Sequence, residues 1–412
     1  MPSSTRRRTA TGPRQPGRRL VAFGASLAMV LPATLSVLSS PARASSTPAL
    51  YVALYGSDSN PCTKAAPCAT IDHAIAQAPS GGTVRVEPGT YDQLVIIEKP
   101  ITLVGKRAVV DGWGLDPGTP LLGVLYIGGS GGTTAWPNDD EQVEPGSDAI
   151  GGNVTVRGFT FEDPNPDQQT YGDDVCLQPV VAGIYDADPT DVISITQDSF
   201  VEGDDDPASA DDGPIGLDTL YSWAHLTAER DTFQGVWQGV LLEDNGPSVL
   251  KANTFADLVT FNYPNTNTYL DSSDDSQCAT LASEDGTTPY QAEGVALLAD
   301  YTSQSTTDQT VDGNRFVDYD GDGVDAGAPY DAATLSSVAI DGNRFDLGGF
   351  SGAGAINLAA DDGGTVSGVT IAHNSGTVQP PSSTITEDDF GGPSSGGGTI
   401  SGVSERDNSI TN

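Results

Sequence analysis

From Tyr51 to the end, the chain alternates short apolar runs with polar turns, and one early stretch departs from that rhythm. Between Thr70 and Ala78, residues Ile71, Ala74, Ile75 and Ala78 recur at the i, i+3, i+4, i+7 spacing of one helical face, with Thr70 placed as an N-cap. Around this predicted helix the period is two. Tyr51–Leu54 precedes it, and Val84–Val86, Leu94–Ile96 and Ile101–Leu103 follow, separated by Gly81-Gly82 and Pro88-Gly89. These are short strands with no second helix long enough for a βαβ crossover. One helix ahead of such a run suits a cap on the open end of a solenoid.

The remainder repeats a degenerate unit: two alternating apolar positions, Asn or Asp, one residue, then Phe. Copies run through Ile193, Ile195, Asp198 and Phe200; Leu226, Ala228, Asp231 and Phe233; Leu250, Asn253 and Phe255; Val311, Asn314 and Phe316; and Val338, Ile340, Asn343 and Phe345. Val154, Val156, Phe159 and Phe161 form an earlier copy, and Ile371 with Asn374 a later, weaker one. A second pattern, Gly followed by apolar residues, trails several copies at Gly183, Gly216, Gly239, Gly294 and Gly354. The tightest spacing, from Phe233 to Phe255, is 22 residues, about one β-coil turn, and fixed periods of roughly 20–50 residues mark solenoids. Each Phe is expected to stack on the Phe of the next turn. Each Asn is expected to turn the chain in left-handed geometry and to hydrogen-bond along a ladder of like residues. A β-propeller would need four strands per blade, and no such repeat is present.

The segment from Tyr51 to Gly112, with Gly56-Ser57-Asp58-Ser59-Asn60-Pro61, Thr70-Ile71, Ala74-Ile75 and Pro88-Gly89-Thr90-Tyr91, resembles the start of the pectin-lyase-like right-handed parallel β-helix proteins. The resemblance implies an all-β fold, a right-handed parallel β-helix with one N-terminal capping helix. It implies no particular activity. In those proteins the N-x-F element resembles the bend between two of the three sheets.

Residues 1–44 read as a signal peptide. Arg6, Arg7, Arg8, Arg14, Arg18 and Arg19 precede the apolar run Leu20–Leu38, which Gly24 and Pro32 interrupt, and Ala42-Arg43-Ala44 forms a small-x-small cleavage site. Arg18-Arg19 leaves twin-arginine export open beside ordinary export. The expected mature protein, 45–412, is one domain: 45–112 carry the cap and first turns, and 380–398 form a Ser/Gly/Pro-rich loop or loose final turn. It is expected to be secreted and monomeric, with no membrane insertion.

Cleavage sharpens the charge. The chain holds 18 basic and 56 acidic residues; seven arginines and no acid precede Ser45, leaving 11 against 56, a net −45. Such a surface repels phosphate backbones and anionic lipids, which excludes nucleic acid as a partner class, and it disfavours polyuronates unless a divalent cation bridges them. Four cysteines in an exported chain predict disulfides rather than zinc, with Cys62 and Cys68 close enough for a local bridge. Two insertions leave the coil just after a Phe, Glu162–Ala182 with Cys176 and Ala256–Glu293 with Cys278. They should project from one flank, where a Cys176–Cys278 bridge would pin them over a groove.

Candidate chemistry is sparse. Asp173-Asp174 resembles one element of the polygalacturonase set, but no Gly-His-Gly or Arg-x-Lys partner exists. Arg230, beside Asp231 and near His225, is the candidate base of a lyase. Asp318, Asp320, Asp322 and Asp325 place carboxylates at alternating positions with Gly321 and Gly323 in the turn, as in short extracellular calcium loops; Pro329 stands where an EF-hand needs Glu. Calcium and a bare acidic turn are both readings of this motif. Two function classes follow: a non-catalytic protein binding a polysaccharide or other cell-surface glycan, and, as the alternative, a polysaccharide lyase or glycoside hydrolase.

Overall fold

The computed structural model describes residues 48–112, 123–129, 149–162, 180–202, 214–219, 222–243, 245–258, 292–299, 305–319, 321–328, 332–346, 354–360, 363–378, 385–389 and 397–411. Its strands pair in parallel, each with the equivalent strand of the next turn, and form the three faces of a right-handed β-helix. The first face passes through Val192–Thr196, His225–Glu229, Ser248–Lys251, Ser305–Asp312 and Thr334–Asp341. The second carries Ser199–Val201, Thr232–Gln234, Thr254–Ala256, Arg315–Val317 and Arg344–Asp346. In earlier turns the long strands Ile101–Asp111 and Val154–Glu162 wrap across both, which joins them into one 21-stranded sheet. The third face is a separate 9-stranded sheet that includes Val180–Tyr185, Ile215–Asp218, Gln238–Glu243, Glu293–Leu298, Asp322–Ala328 and Gly354–Ala360. The segment 380–398, read as a loop or loose final turn, contributes Ile385–Asp389, the last strand of this face, in register with Ile356–Ala360.

The expected cap is present. Helix Ile71–Gln77 buries Ile71, Ala74 and Ile75, and the Thr70 hydroxyl accepts from the His73 amide at 3.3 Å. The Asp58 carboxylate accepts from the Ala69 and Thr70 amides at 2.9 and 3.0 Å, and Lys99 Nζ donates to the Ala76 and Ala78 carbonyls at the other end. The Ile71 amide donates to Gln93 Oε1 at 3.1 Å, so each end of the helix has a partner from outside it.

Inside the coil, Phe161, Phe200, Phe233, Phe255, Phe316 and Phe345 stack in one column, successive centroids 4.8–5.6 Å apart. For Gly216, Gly239 and Gly294 the second sequence pattern has its cause here. A Cβ on Gly216, Gly239, Gly294 or Gly323 would lie 2.3–2.7 Å from a ring of the column, so the third-face strand must be bare at that point.

Beside the column runs the polar ladder. The Asp198 amide donates to Asp231 Oδ1, Asp231 to Asn253, Asn253 to Asn314 and Asn314 to Asn343, each at 2.8 Å, and the series continues to Asn374 and Asn408. Each asparagine also donates through Nδ2 to a carbonyl of the preceding turn, as Asn253 does to Ala228 and Asn314 to Leu250. One expectation is corrected. The left-handed residue at the bend is not the ladder residue but the one before it: Gln197, Arg230, Ala252, Gly313, Gly342, His373 and Asp407 all have φ between 53° and 66°. The ladder residue holds the turn by accepting the next turn's geometry through hydrogen bonds, and its neighbour makes the kink.

A recessed acidic cluster on the third face

The three faces differ in how they meet the outside. On the first, inward Ile193, Ile195, Leu226 and Ala228 are buried while outward Val192, Ser194 and Thr227 are half-buried. On the third, Asp218, Leu241 and Ala296 stand in register across turns and are less than one-tenth exposed, and the row continues into half-buried Asp325 and Asn357; Gln238, three residues before Leu241, is also less than one-tenth exposed. Polar side chains placed in such a row lose hydration and must find partners nearby.

Four of them do so in pairs across neighbouring turns. Gln238 lies in register with Glu293, and its Nε2 donates to Glu293 Oε2 at 3.0 Å. Asp325 lies in register with Asn357, whose Nδ2 donates to Asp325 Oδ1 at 3.0 Å. Asp322 opens the same strand as Asp325 and, in the register that pairs Val295 with Val324, lies opposite Glu293. Burial holds Glu293 well above the usual carboxylate range, and the charges of Asp325 and Asp322 push it the same way against the opposing hydrogen bond from Gln238. Burial likewise lifts Asp325 to about 6. The cluster therefore retains protons that exposed carboxylates would have lost.

The residues singled out in the sequence are dispersed. Arg230 sits at a left-handed bend between the first and second faces, mostly exposed and paired with Glu229 at 2.7 Å. His225 begins the strand His225–Glu229, exposed, at its far end from Arg230, so the two are not brought together. Asp231 points into the ladder. Asp173, Asp174, Asp320, Cys176 and Cys278 lie outside the described residues. Of the calcium motif, Asp318 occupies a left-handed corner after the second face, Tyr319 turns inward, and Asp322 and Asp325 belong to a third-face strand. Among the described residues, the one trio of His, Cys, Asp or Glu whose ligand atoms lie within 4.8 Å of one another is Cys62, Cys68 and His73. There the two sulfurs are bonded to each other, as the sequence led one to expect. Arg315 and Arg344 stand in register on the second face and share Asp346, a structural ladder.

Both insertions leave the coil between the second and third faces, after Val154–Glu162 and after Thr254–Ala256. No helix among the described residues is long and apolar enough to cross a membrane.

The third-face cluster was not visible in the sequence. Gln238, Glu293, Asp325 and Asn357 come from four turns, and no local spacing connects them. The signal that existed was the Gly-led apolar pattern, which marks the third-face strands and hence the residues flanking each Gly.

The fold is a right-handed parallel β-helix. A family described as "Protein of unknown function (DUF1565)" matches residues 54–196. No curated protein matches the chain. Among solved structures, XylC in complex with xylose is similar at 14% identity and a TM-score of 0.44, covering 87% of this chain and 70% of its own. Pectate lyase Pel9A is 14% identical with a TM-score of 0.30, covering 88% and 80%. PfbA, a surface adhesin of Streptococcus pneumoniae, is 10% identical with a TM-score of 0.29, covering 82% and 87%. At these scores nothing about this chain's chemistry is taken from them.

Proposed function

We propose that this is a secreted glycan-binding protein that uses the outside of its third face as the binding platform. The observation that carries the reading is the two cross-turn amide–carboxylate pairs, Gln238–Glu293 and Asp325–Asn357, on the face next to the corner from which both insertions depart. Sugars are recognised by fixed hydrogen-bonding groups set into a partly dehydrated surface; the arginines of the second face are instead exposed and paired with Asp346. The acidic surface, net −45 after signal cleavage, supports neutral or cationic glycans over polyuronates. Binding without turnover is the favoured role, because the candidates Arg230 and His225 are not brought together and stand away from the third-face pairs.

The test is a screen of the mature protein against immobilised neutral, amino and uronic-acid polysaccharides, with product assays alongside. Retention without new reducing ends or unsaturated uronate absorbance is expected. Cleavage of any glycan would replace the binding role with hydrolysis or elimination, and no retention on any of them would overturn the reading.

A further inference from the structure

Basic residues are few after residue 44, and they are not scattered. All but Lys64 and Lys99 lie along one edge of the coil, the corner between the first and second faces. On the later turns they are neutralised: Arg230 meets Glu229, Lys251 meets Asp312, and Arg315 and Arg344 meet Asp346, at 2.7–3.7 Å. Arg85, Lys106, Arg107 and Arg157 differ. All four are exposed, and among the described residues none of them has an ion pair.

They come from three consecutive turns. Arg85 is in register with Val104 and Val104 with Arg157, so about two strand spacings, ~10 Å, separate the two arginines. Between them the corner is swollen. Val104 stands opposite Arg157 and Ala108 opposite Phe159, so Gly105-Lys106-Arg107 face Gly158 alone. Gly105 and Gly158 pack backbone to backbone, a Cβ on either lying 2.7 Å from the other's carbonyl oxygen. The two extra residues are therefore Lys106 and Arg107, the latter at φ 52°, and a bulge of this kind re-aims side chains outward.

A second feature shares the corner. Leu54 and Tyr55 follow the strand Leu50–Val52 at the capped end, and they are the large hydrophobic residues that stay exposed among those described, at 59% and 79%. Leu54 lies over Gly89, where a Cβ would come 2.6 Å from its Cδ1. An exposed tyrosine ring near unpaired cations sets a stacking surface beside an anion-holding one.

The surroundings limit the size of the anion. The row that holds Arg85 and Arg157 runs on into Glu229, Asp312 and Asp341. Toward the second face Asp92, Asp111 and Glu162 stand in register, and Glu87 occupies the corner of the turn before the bulge. A long polyanion would run onto these acids. At physiological salt charges are screened beyond about 8 Å, so a ligand must gain its attraction within the patch. A phosphomonoester suits this: it is compact, carries roughly −1.5 to −2 at pH 7, and offers three acceptor oxygens.

We propose that Arg85, Lys106, Arg107 and Arg157 hold the phosphate of a phosphorylated sugar whose ring lies on Tyr55. This site is separate from the third-face platform and does not depend on it.

The experiment is calorimetric titration of the mature protein in 150 mM salt at pH 7.5 with glucose 6-phosphate, glucose, inorganic phosphate and tetragalacturonate. Glucose 6-phosphate should bind about tenfold to hundredfold more tightly than glucose, the range of one charge-assisted hydrogen bond, and more tightly than inorganic phosphate. Lys106→Ala combined with Arg107→Ala should abolish that binding, and Arg157→Ala, on a different strand, should weaken it. Tyr55→Ala should bring glucose 6-phosphate down to the level of inorganic phosphate. Arg230→Ala, a paired cation on the same corner, should leave it unchanged. All these side chains are exposed, and melting curves of the variants should match the parent. Absence of glucose 6-phosphate binding, equal binding by parent and double variant, or tighter binding of tetragalacturonate would each overturn the proposal. None of these results bears on the third-face reading, which the polysaccharide screen measures separately.

Discussion

Changing Asp231 to asparagine tests the ladder in the place where the sequence departs from it. Asp231 is 1% exposed; its Oδ1 accepts from the Asp198 amide at 2.8 Å, while Oδ2 has no partner. At the later positions that second atom is Nδ2 and donates to a carbonyl of the turn before, as in Asn343 to Val311 and Asn374 to Ile340. The equivalent acceptor for position 231 is the Ile195 carbonyl, which an ionised aspartate can only repel. Burial, with a smaller push from the Glu229 charge and against hydrogen bonds from the Asp198, Glu229 and Gln197 amides, raises Asp231 from 3.8 to about 7, and the neighbouring Asp198 is raised as well by burial and by the charge of Asp231. The sign follows from proton counting. Between these two values the folded chain holds a proton that the unfolded chain has lost, so stability declines as pH rises from about 4 to about 7 and is level beyond. Three pH units at about 1.4 kcal/mol each put the full penalty near 4 kcal/mol, an upper figure because the native turn can relax. Asp231→Asn removes the titration and restores the donor. It should stabilise by up to ~4 kcal/mol at pH 8 and by little at pH 4. Because a solenoid can open turn by turn, the assay is hydrogen exchange of the amides of Asp198, Asp231 and Asn253 at pH 4 and pH 8, corrected for intrinsic exchange, alongside denaturant titrations. A stabilisation of the same size at both pH values, or a loss of stability at pH 8, would refute the argument.

Other consequences are equally open to measurement. Phe255→Ala removes a fully buried ring stacked on both sides at 4.9 and 4.8 Å, and should cost ~3–5 kcal/mol in denaturant titration. Gly239→Ala puts a Cβ 2.3 Å from the Phe255 ring and 2.5 Å from the Gly294 carbonyl; a loss of ~1–3 kcal/mol is expected, relieved in part by Phe255→Leu, and an unchanged melting temperature would contradict the packing described. Replacing both Cys62 and Cys68 with serine opens a loop of sequence separation 6 and should cost about 2 kcal/mol, seen as faster proteolysis ahead of the cap helix with the later turns still protected.

How much of this could be read from the chain depends on the range of the interaction. The cap helix was legible because its face is formed by Ile71, Ala74 and Ile75 within one segment. The Phe column and the Asn ladder were legible because each turn repeats the same short element, so one-dimensional periodicity reports a contact that is long-range in space. The bend was misplaced by one residue because Gln197, Arg230, Ala252 and His373 share no chemistry; the left-handed position is imposed by the ladder rather than chosen by the side chain. Local reading took Asp318–Asp325 as one acidic turn or calcium loop, whereas the coil places Asp318 at a corner and Asp322 and Asp325 in a strand. The cluster of Gln238, Glu293, Asp325 and Asn357 was hidden among 56 acidic residues, since parallel register across four turns, and not spacing, brings it together.

The most direct test of the account is a crystal structure of the mature protein soaked with whichever polysaccharide fragment it retains in the glycan screen. Sugar density along the outside of the third face, over Gln238–Glu243, Glu293–Leu298, Asp322–Ala328 and Gly354–Ala360, is the predicted result. Density confined to the first or second face, with the third-face recess untouched, would contradict it.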